Sequence, residues 1–254
     1  MARRGAAVFV LLLSAHPPRT PADLAPAHGV TDRRDASGGA RVDGRAYDEM
    51  TAEQKRVFDG GGQVFVARDV AGSPWPAVVV YQRIDATPEA AAAVFIDYEQ
   101  HRTYIPGVRQ ARVSRVVDPA TVEVDYVLDV PMFADERYTV RNHVTAYEGG
   151  DSYRVEWVLV RASSTKGTTG QVRFEPHPDG GRGGPGAGPG TVMAYSNFVT
   201  PGSGLARVGF VKARAMRQMR ETASAIVRRV EAERATEPAL LSRQLDALRA
   251  ALAL

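Results

Sequence analysis

A chain of 254 residues has room for one domain of ordinary size with tails, and 44% apolar with 24% charged residues is the balance of a globular protein. The absence of cysteine excludes disulfides, thiolate metal sites and a cysteine nucleophile. The net charge is only +3, and the cations, arginine except at Lys55, Lys166 and Lys212, are scattered along the chain, which argues against a nucleic-acid partner.

Residues 1–15 have the outline of a secretory signal peptide: Arg3 and Arg4, an apolar run over 6–13, then Ser14 and Ala15. The run is too short to span a bilayer. It predicts a secreted or periplasmic protein; a mis-assigned start codon, and a cytoplasmic protein, is the alternative. Residues 16–45 are rich in Pro, Ala, Gly, Asp and Arg without periodicity and read as a disordered leader.

A folded domain is expected over 46–234. Thr51 and Gln54 form a capping-box pattern that starts a short helix, ended at Gly60. Residues 63–68 alternate as a strand, and after a Gly72–Pro76 turn the β-branched residues of 77–84 give a second strand segment. Thr87, Pro88 and Glu89 supply a cap, a first-turn proline and a first-turn acid for a helix to Asp97, and a second short helix covers 98–104. Six strands follow, over 108–117, 121–130, 137–147, 153–161, 171–175 and 191–199, with connections short enough for antiparallel hairpins. A glycine-proline insert at 176–190 lacks a phosphate-loop pattern and reads as a solvated hairpin loop.

A long helix then spans 202–233. Val208, Val211, Ala215, Met219, Ala223, Ile226 and Val230 recur at helical spacing, with Arg214, Arg217, Arg220, Glu221 and Arg228 on the far side. At 1.5 Å per residue it is about 45 Å long. No other helix is comparable, so its apolar stripe must lie on the sheet. The predicted fold is α+β: a curved antiparallel sheet wrapped around a long C-terminal helix, with two short helices after the first strands. Residues 235–254 form an amphipathic helix bearing Leu240, Leu241, Leu245 and Leu248, which docks on the domain or provides a transient membrane-surface or dimer contact. The oligomeric state is not set by the sequence.

Strand alternation puts Val122, Val124, Tyr126, Leu128 and Tyr153, Val155, Trp157, Leu159 on the faces turned to the long helix. Tyr138, Phe174 and Tyr195 add further rings. By the residues alone, these side chains either fill that space or line a cavity. Asn142 shares the face of Tyr138, with Ser196 or Asn197 joining it according to register, whereas Arg137 and Arg141 fall opposite. The five histidines lack metal-ligand spacing, Ser203 lacks a nucleophile-elbow pattern, and no carboxylate pair stands out. Neither a metal, a cofactor nor a catalytic residue is assigned.

Three stretches resemble the START-like (SRPBCC, Bet v 1-like) superfamily, in its polyketide cyclase and coenzyme Q-binding START-type branch. They are Ile84–Glu89 with Val94–Tyr98 and Tyr104–Val108, then Asp135–Arg141, then Tyr195 with Pro201–Gly204. The resemblance covers residues 63–233 and implies a helix-grip fold with an apolar cavity between sheet and long helix. It implies a hydrophobic small-molecule partner (a lipid, quinone, sterol or polyketide) touching Tyr126, Tyr138, Asn142, Trp157, Phe174, Tyr195 and Met219. A carrier or sensor is the leading reading. A cyclase or aromatase, with Tyr126, Asn142, Tyr195 and Arg141 assisting, or a protein-interaction module with a filled core, are the alternatives.

Overall fold

The structure is a computed structural model that describes residues 45–129, 135–181, 188–202 and 209–254, and the backbone of two dipeptide strands, β1 (Arg33–Arg34) and β2 (Ala40–Arg41), which pair antiparallel. The signal-like segment, most of the leader, the centre of the glycine insert, Ser203, Gly204 and Val208 lie outside the described residues.

The elements that follow are α1 (Ala52–Asp59), β3 (Val64–Arg68), β4 (Ala77–Ile84), α2 (Pro88–Ile96), a 3₁₀ turn at Tyr98–Gln100, and α3 (His101–Tyr104). Then come β5 (Val108–Asp118), β6 (Thr121–Leu128), β7 (Glu136–Tyr147), β8 (Ser152–Ala162), β9 (Gly167–Pro176), β10 (Thr191–Thr200), α4 (Gly209–Thr236) and α5 (Pro238–Leu252). Eight strands form one antiparallel sheet in the order β3-β4-β10-β9-β8-β7-β6-β5. The β5-to-β10 meander joins the β3–β4 hairpin through the β4–β10 pair, so the second strand of that hairpin lies beside the last strand, and β3 and β5 are the two edges. β9 starts four residues before the expected strand, because its Gly-Thr-Thr-Gly opening, where two glycines weaken the strand pattern, pairs throughout with β10 and, at Thr169 and Gly170, also with β8.

Both helix starts read from the sequence form as expected. Thr51 accepts from the Gln54 amide at 3.2 Å while the Gln54 side chain accepts from the Thr51 amide at 2.8 Å. Thr87 Oγ1 accepts from the Ala90 amide at 3.1 Å with Pro88 in the first turn. α2 is apolar all round, and Ala90 through Phe95 are all buried, as a helix between two layers must be. It packs between the sheet and the two C-terminal helices. α4 lays Met219, Ala223, Ile226, Val227 and Val230 on the concave side of the sheet.

α5 docks on α2 rather than standing free: Leu248 is fully buried, Gln244 donates to Asp97 at 3.0 Å, and Arg249 grips both oxygens of Glu89 at 2.7 and 3.1 Å.

The convex side of the sheet carries a second, smaller core that strand alternation alone does not show. Ala46, Met50 and Phe58 cover Val64, Tyr81, Val192 and Ala194. Under that cover Arg173 lies 2.5 Å from Glu49 and 3.4 Å from Glu175, and Glu175 accepts from the Ala46 amide at 2.6 Å. The glycine insert is tied down at its base, where Arg83 donates to the carbonyls of Gly180 and Gly181. His177, read as part of that solvated loop, is buried and stacks on Phe58 with ring centres 5.8 Å apart.

Candidate ligand-binding cavity

Alternation on β6, β7, β8 and β10 aims side chains at α4, and α4 does not fill the space they leave. A cavity of about 640 Å³ remains between sheet and helix. Its sheet wall carries Tyr126, Tyr138, Val140, Asn142, Trp157, Leu159 and Tyr195; Met216 and Met219 of α4 face them, and Phe95 and His101 lie between. The wall is ordered by register: Tyr138 sits across from Tyr126, and Asn142 across from Val122 and Trp157. Along β7 the lining runs from Asn142 to Glu136, six residues or about 20 Å at 3.3 Å per residue. Asp129, Asp135, Glu136, Ser163, Ser164, Thr165 and Arg214 also line it.

The rings are arranged as a wall. Tyr126 and Tyr138 stack with centres 5.2 Å apart, and Trp157 lies 5.5 Å from Tyr195 and 6.3 Å from Phe95. Trp157 is placed by Gly170 on the neighbouring strand. A Cβ there would meet the indole Cζ2 at 2.4 Å and the Ser196 carbonyl oxygen at 2.6 Å. The indole N–H donates to Asn197 Oδ1 at 3.4 Å, which also accepts from Thr168 Oγ1 at 3.1 Å.

Of the residues expected to contact a ligand, Tyr126, Tyr138, Asn142, Trp157, Tyr195 and Met219 line the cavity and Phe174 does not. Phe174 is on the expected face but is fully buried beneath Phe95, 6.0 Å between ring centres, and serves as core. Asn197 resolves the register question in its favour; Ser196 faces away and donates to the Gln171 carbonyl at 3.3 Å. Arg141 faces outward, as alternation requires, and pairs with Glu123 at 2.7 Å.

His101 is a lining residue the sequence reading passed over. It is 3% exposed, and both ring nitrogens are engaged: one lies 2.8 Å from the Phe95 carbonyl, the other 2.8 Å from the Tyr126 hydroxyl. A carbonyl only accepts, so Nε2 carries the proton and Nδ1 accepts from Tyr126. The signal was there in the three-residue spacing of Phe95, Tyr98, His101 and Tyr104, whose rings all contact the imidazole at 5.1 to 5.5 Å.

Burial lowers the His101 pKa to about 4, against a smaller raising effect of the Phe95 carbonyl. The unfolded imidazole takes a proton near pH 6.5 and the folded one does not, so stability falls as pH drops through that window. By pH 4.5 the loss amounts to about 2–3 kcal/mol. His101→Gln is expected to flatten this part of the pH profile in denaturant titrations at pH 7.5 and 4.5. An unchanged difference between the two pH values would exclude His101 as its source.

Four further lining groups are held in single states. Burial pushes the phenols of Tyr126, Tyr138 and Tyr195 well above their ordinary range, so each remains a hydrogen-bond donor. Burial also raises Glu136, but hydrogen bonds from Ser164, Thr165 and Ser163 outweigh it and hold the carboxyl below its usual value. Those bonds, 2.9 Å from the Thr165 amide and 2.8 Å from Ser163 Oγ among them, pin the 163–165 turn to the start of β7.

No curated protein matches the chain. Among solved structures it is similar to a STAR-related lipid transfer protein of Xanthomonas axonopodis, at 16% identity and TM-score 0.55 over 66% of this chain and 93% of that one. It is also similar to human STARD10, at 15% identity and TM-score 0.48 over 70% of this chain and 74% of that one. The Zhui aromatase/cyclase of Streptomyces sp. R1128 matches at 13% identity and TM-score 0.46 over 62% of this chain and 94% of that one. At these identities the likeness concerns the fold, and the first match carries it. A family model described as polyketide cyclase / dehydrase and lipid transport matches residues 76–231, which include every strand from β5 to β10 and α4 up to Glu231. The chain therefore belongs to the polyketide cyclase/dehydrase and lipid transport family.

Proposed function

We propose that the domain is a carrier or sensor that holds one hydrophobic small molecule between the sheet and α4. The observation that carries this reading is the cavity itself: about 640 Å³, its surface mostly apolar from Tyr, Trp, Phe, Met, Val and Leu side chains, with polar and charged groups set among them. That is the size and make-up of a site for one small ligand, for which volumes of about 300–1,000 Å³ are usual. Holding rather than converting the ligand is supported by the state of the lining groups. His101 is neutral with both nitrogens engaged, the phenols keep their protons, and Glu136 is tied to its turn. A general acid or base needs a group poised to exchange a proton near the working pH.

The test is titration with the neutral fluorescent probe N-phenyl-1-naphthylamine. The native protein is expected to bind one equivalent saturably. Trp157→Ala removes a large ring from the wall and is expected to weaken binding about tenfold, the size of effect an aromatic contact plus its lost area gives. Unaltered affinity in a folded Trp157→Ala protein would take Trp157 out of the site.

A further inference from the structure

Resting on the cavity reading, we propose that the ligand presents a neutral carbonyl-type oxygen, that of a ketone, quinone or ester, to Asn142. Asn142 is 3% exposed and lines the cavity, yet its amide nitrogen is buried with no hydrogen-bond partner among the described residues. Buried amide donors are seldom left unmet, because the desolvation cost is then not offset. Its neighbours in the sheet offer no side-chain acceptor. Val122 and Trp157 sit across from it in register, Val140 and Val144 flank it on the same face, and the indole N–H is itself a donor already committed to Asn197.

Two further donors belong to the same lining. Tyr138 and Tyr195 line the cavity too, and their protonated hydroxyls can donate to the same ligand oxygen. A ligand oxygen with lone pairs and no proton of its own fits that wall.

The placement of charge argues that this oxygen is uncharged. The lining charges are Asp129, Asp135, Glu136 and Arg214. Glu136 is six positions from Asn142 along β7, about 20 Å away. Asp129 and Asp135 are paired with Arg109 at 2.9 and 3.3 Å. Arg214 is eight residues before Thr222, the last α4 residue of the lining, which is about 12 Å along the helix. A carboxylate or ammonium carried to Asn142 would be desolvated without a counter-charge among the described residues, which is strongly unfavourable.

The experiment compares two probes of nearly the same shape, 2-acetylnaphthalene and 2-ethylnaphthalene, by calorimetry on the full chain. The native protein is expected to bind the ketone about tenfold more tightly than the hydrocarbon, as one satisfied buried donor would give. Asn142→Leu, and Asn142→Ala measured beside it so that the conclusion does not hang on one variant's folding, are expected to bind the hydrocarbon and lose the preference. Removing an unmet amide is also expected to leave the Tm of Asn142→Leu at or above that of the native protein. Equal binding of the two probes by the native protein, or a preference that survives both substitutions, would overturn the assignment while leaving the cavity reading standing. Binding of neither probe would overturn both.

Discussion

Gly170→Val is expected to cost the protein most of its ligand affinity, more than about tenfold, together with about 2–3 kcal/mol of stability from overpacking. The substitution adds nothing to the cavity wall directly. It acts through the two groups that already occupy the space a side chain would need: the Trp157 indole at 2.4 Å and the backbone oxygen of Ser196 at 2.6 Å. The indole gives way toward Tyr195 and the cavity, or the β9–β10 ladder opens. Probe titration and denaturant unfolding on one preparation read both effects. A valine variant with native affinity and native stability would show that the indole does not lie across Gly170.

Phe174→Ala has the opposite signature. A fully buried phenylalanine packed under Phe95 is expected to cost about 3–5 kcal/mol on truncation, from lost transfer energy and the void left behind. The protein that remains folded is expected to bind the probe with little change, since no part of Phe174 reaches the cavity. Trp157→Ala, in contrast, spends its effect on affinity. If Phe174→Ala lost affinity and kept its stability, the core and wall assignments of the two residues would have to be exchanged.

That pair shows where the sequence stops being informative. Trp157 and Phe174 sit on neighbouring strands, both on the concave face, and alternation assigns each of them to that face correctly. It does not give depth. Depth is decided by α2, whose Phe95 lies over Phe174, and the path of an alanine-rich helix apolar on every side is not written in its periodicity.

The frame itself was legible: the α4 stripe through Met219, Ala223, Ile226 and Val230, the caps at Thr51 and Thr87, and the alternating apolar faces of β6 and β8. The length of α4 then left the sheet as the surface to cover that stripe, and the family resemblance implied the helix-grip arrangement.

The convex-face core was not legible, for a different reason. Arg173 and Glu175 alternate with Val172 and Phe174 and so point away from α4, where a charge is ordinarily solvated. They are buried because the 46–59 segment, which includes only a short helix, folds back over them and supplies Glu49 and the Ala46 amide as partners. Nothing local to β9 announces that cover. His101 fell between the two cases. Its aromatic spacing was visible, but the meaning of that spacing depends on Tyr126, twenty-five residues away on β6.

The central claim is that the space between sheet and α4 is a binding site for one hydrophobic molecule. Native mass spectrometry of the full chain equilibrated with 2-acetylnaphthalene tests it most directly. The account predicts a single adduct at one ligand per protein that saturates and is depleted by Gly170→Val. Either of two results would contradict it: no adduct at saturating ligand, or a ladder of non-saturating adducts indifferent to that substitution. Both would mean that the cavity is not a ligand site.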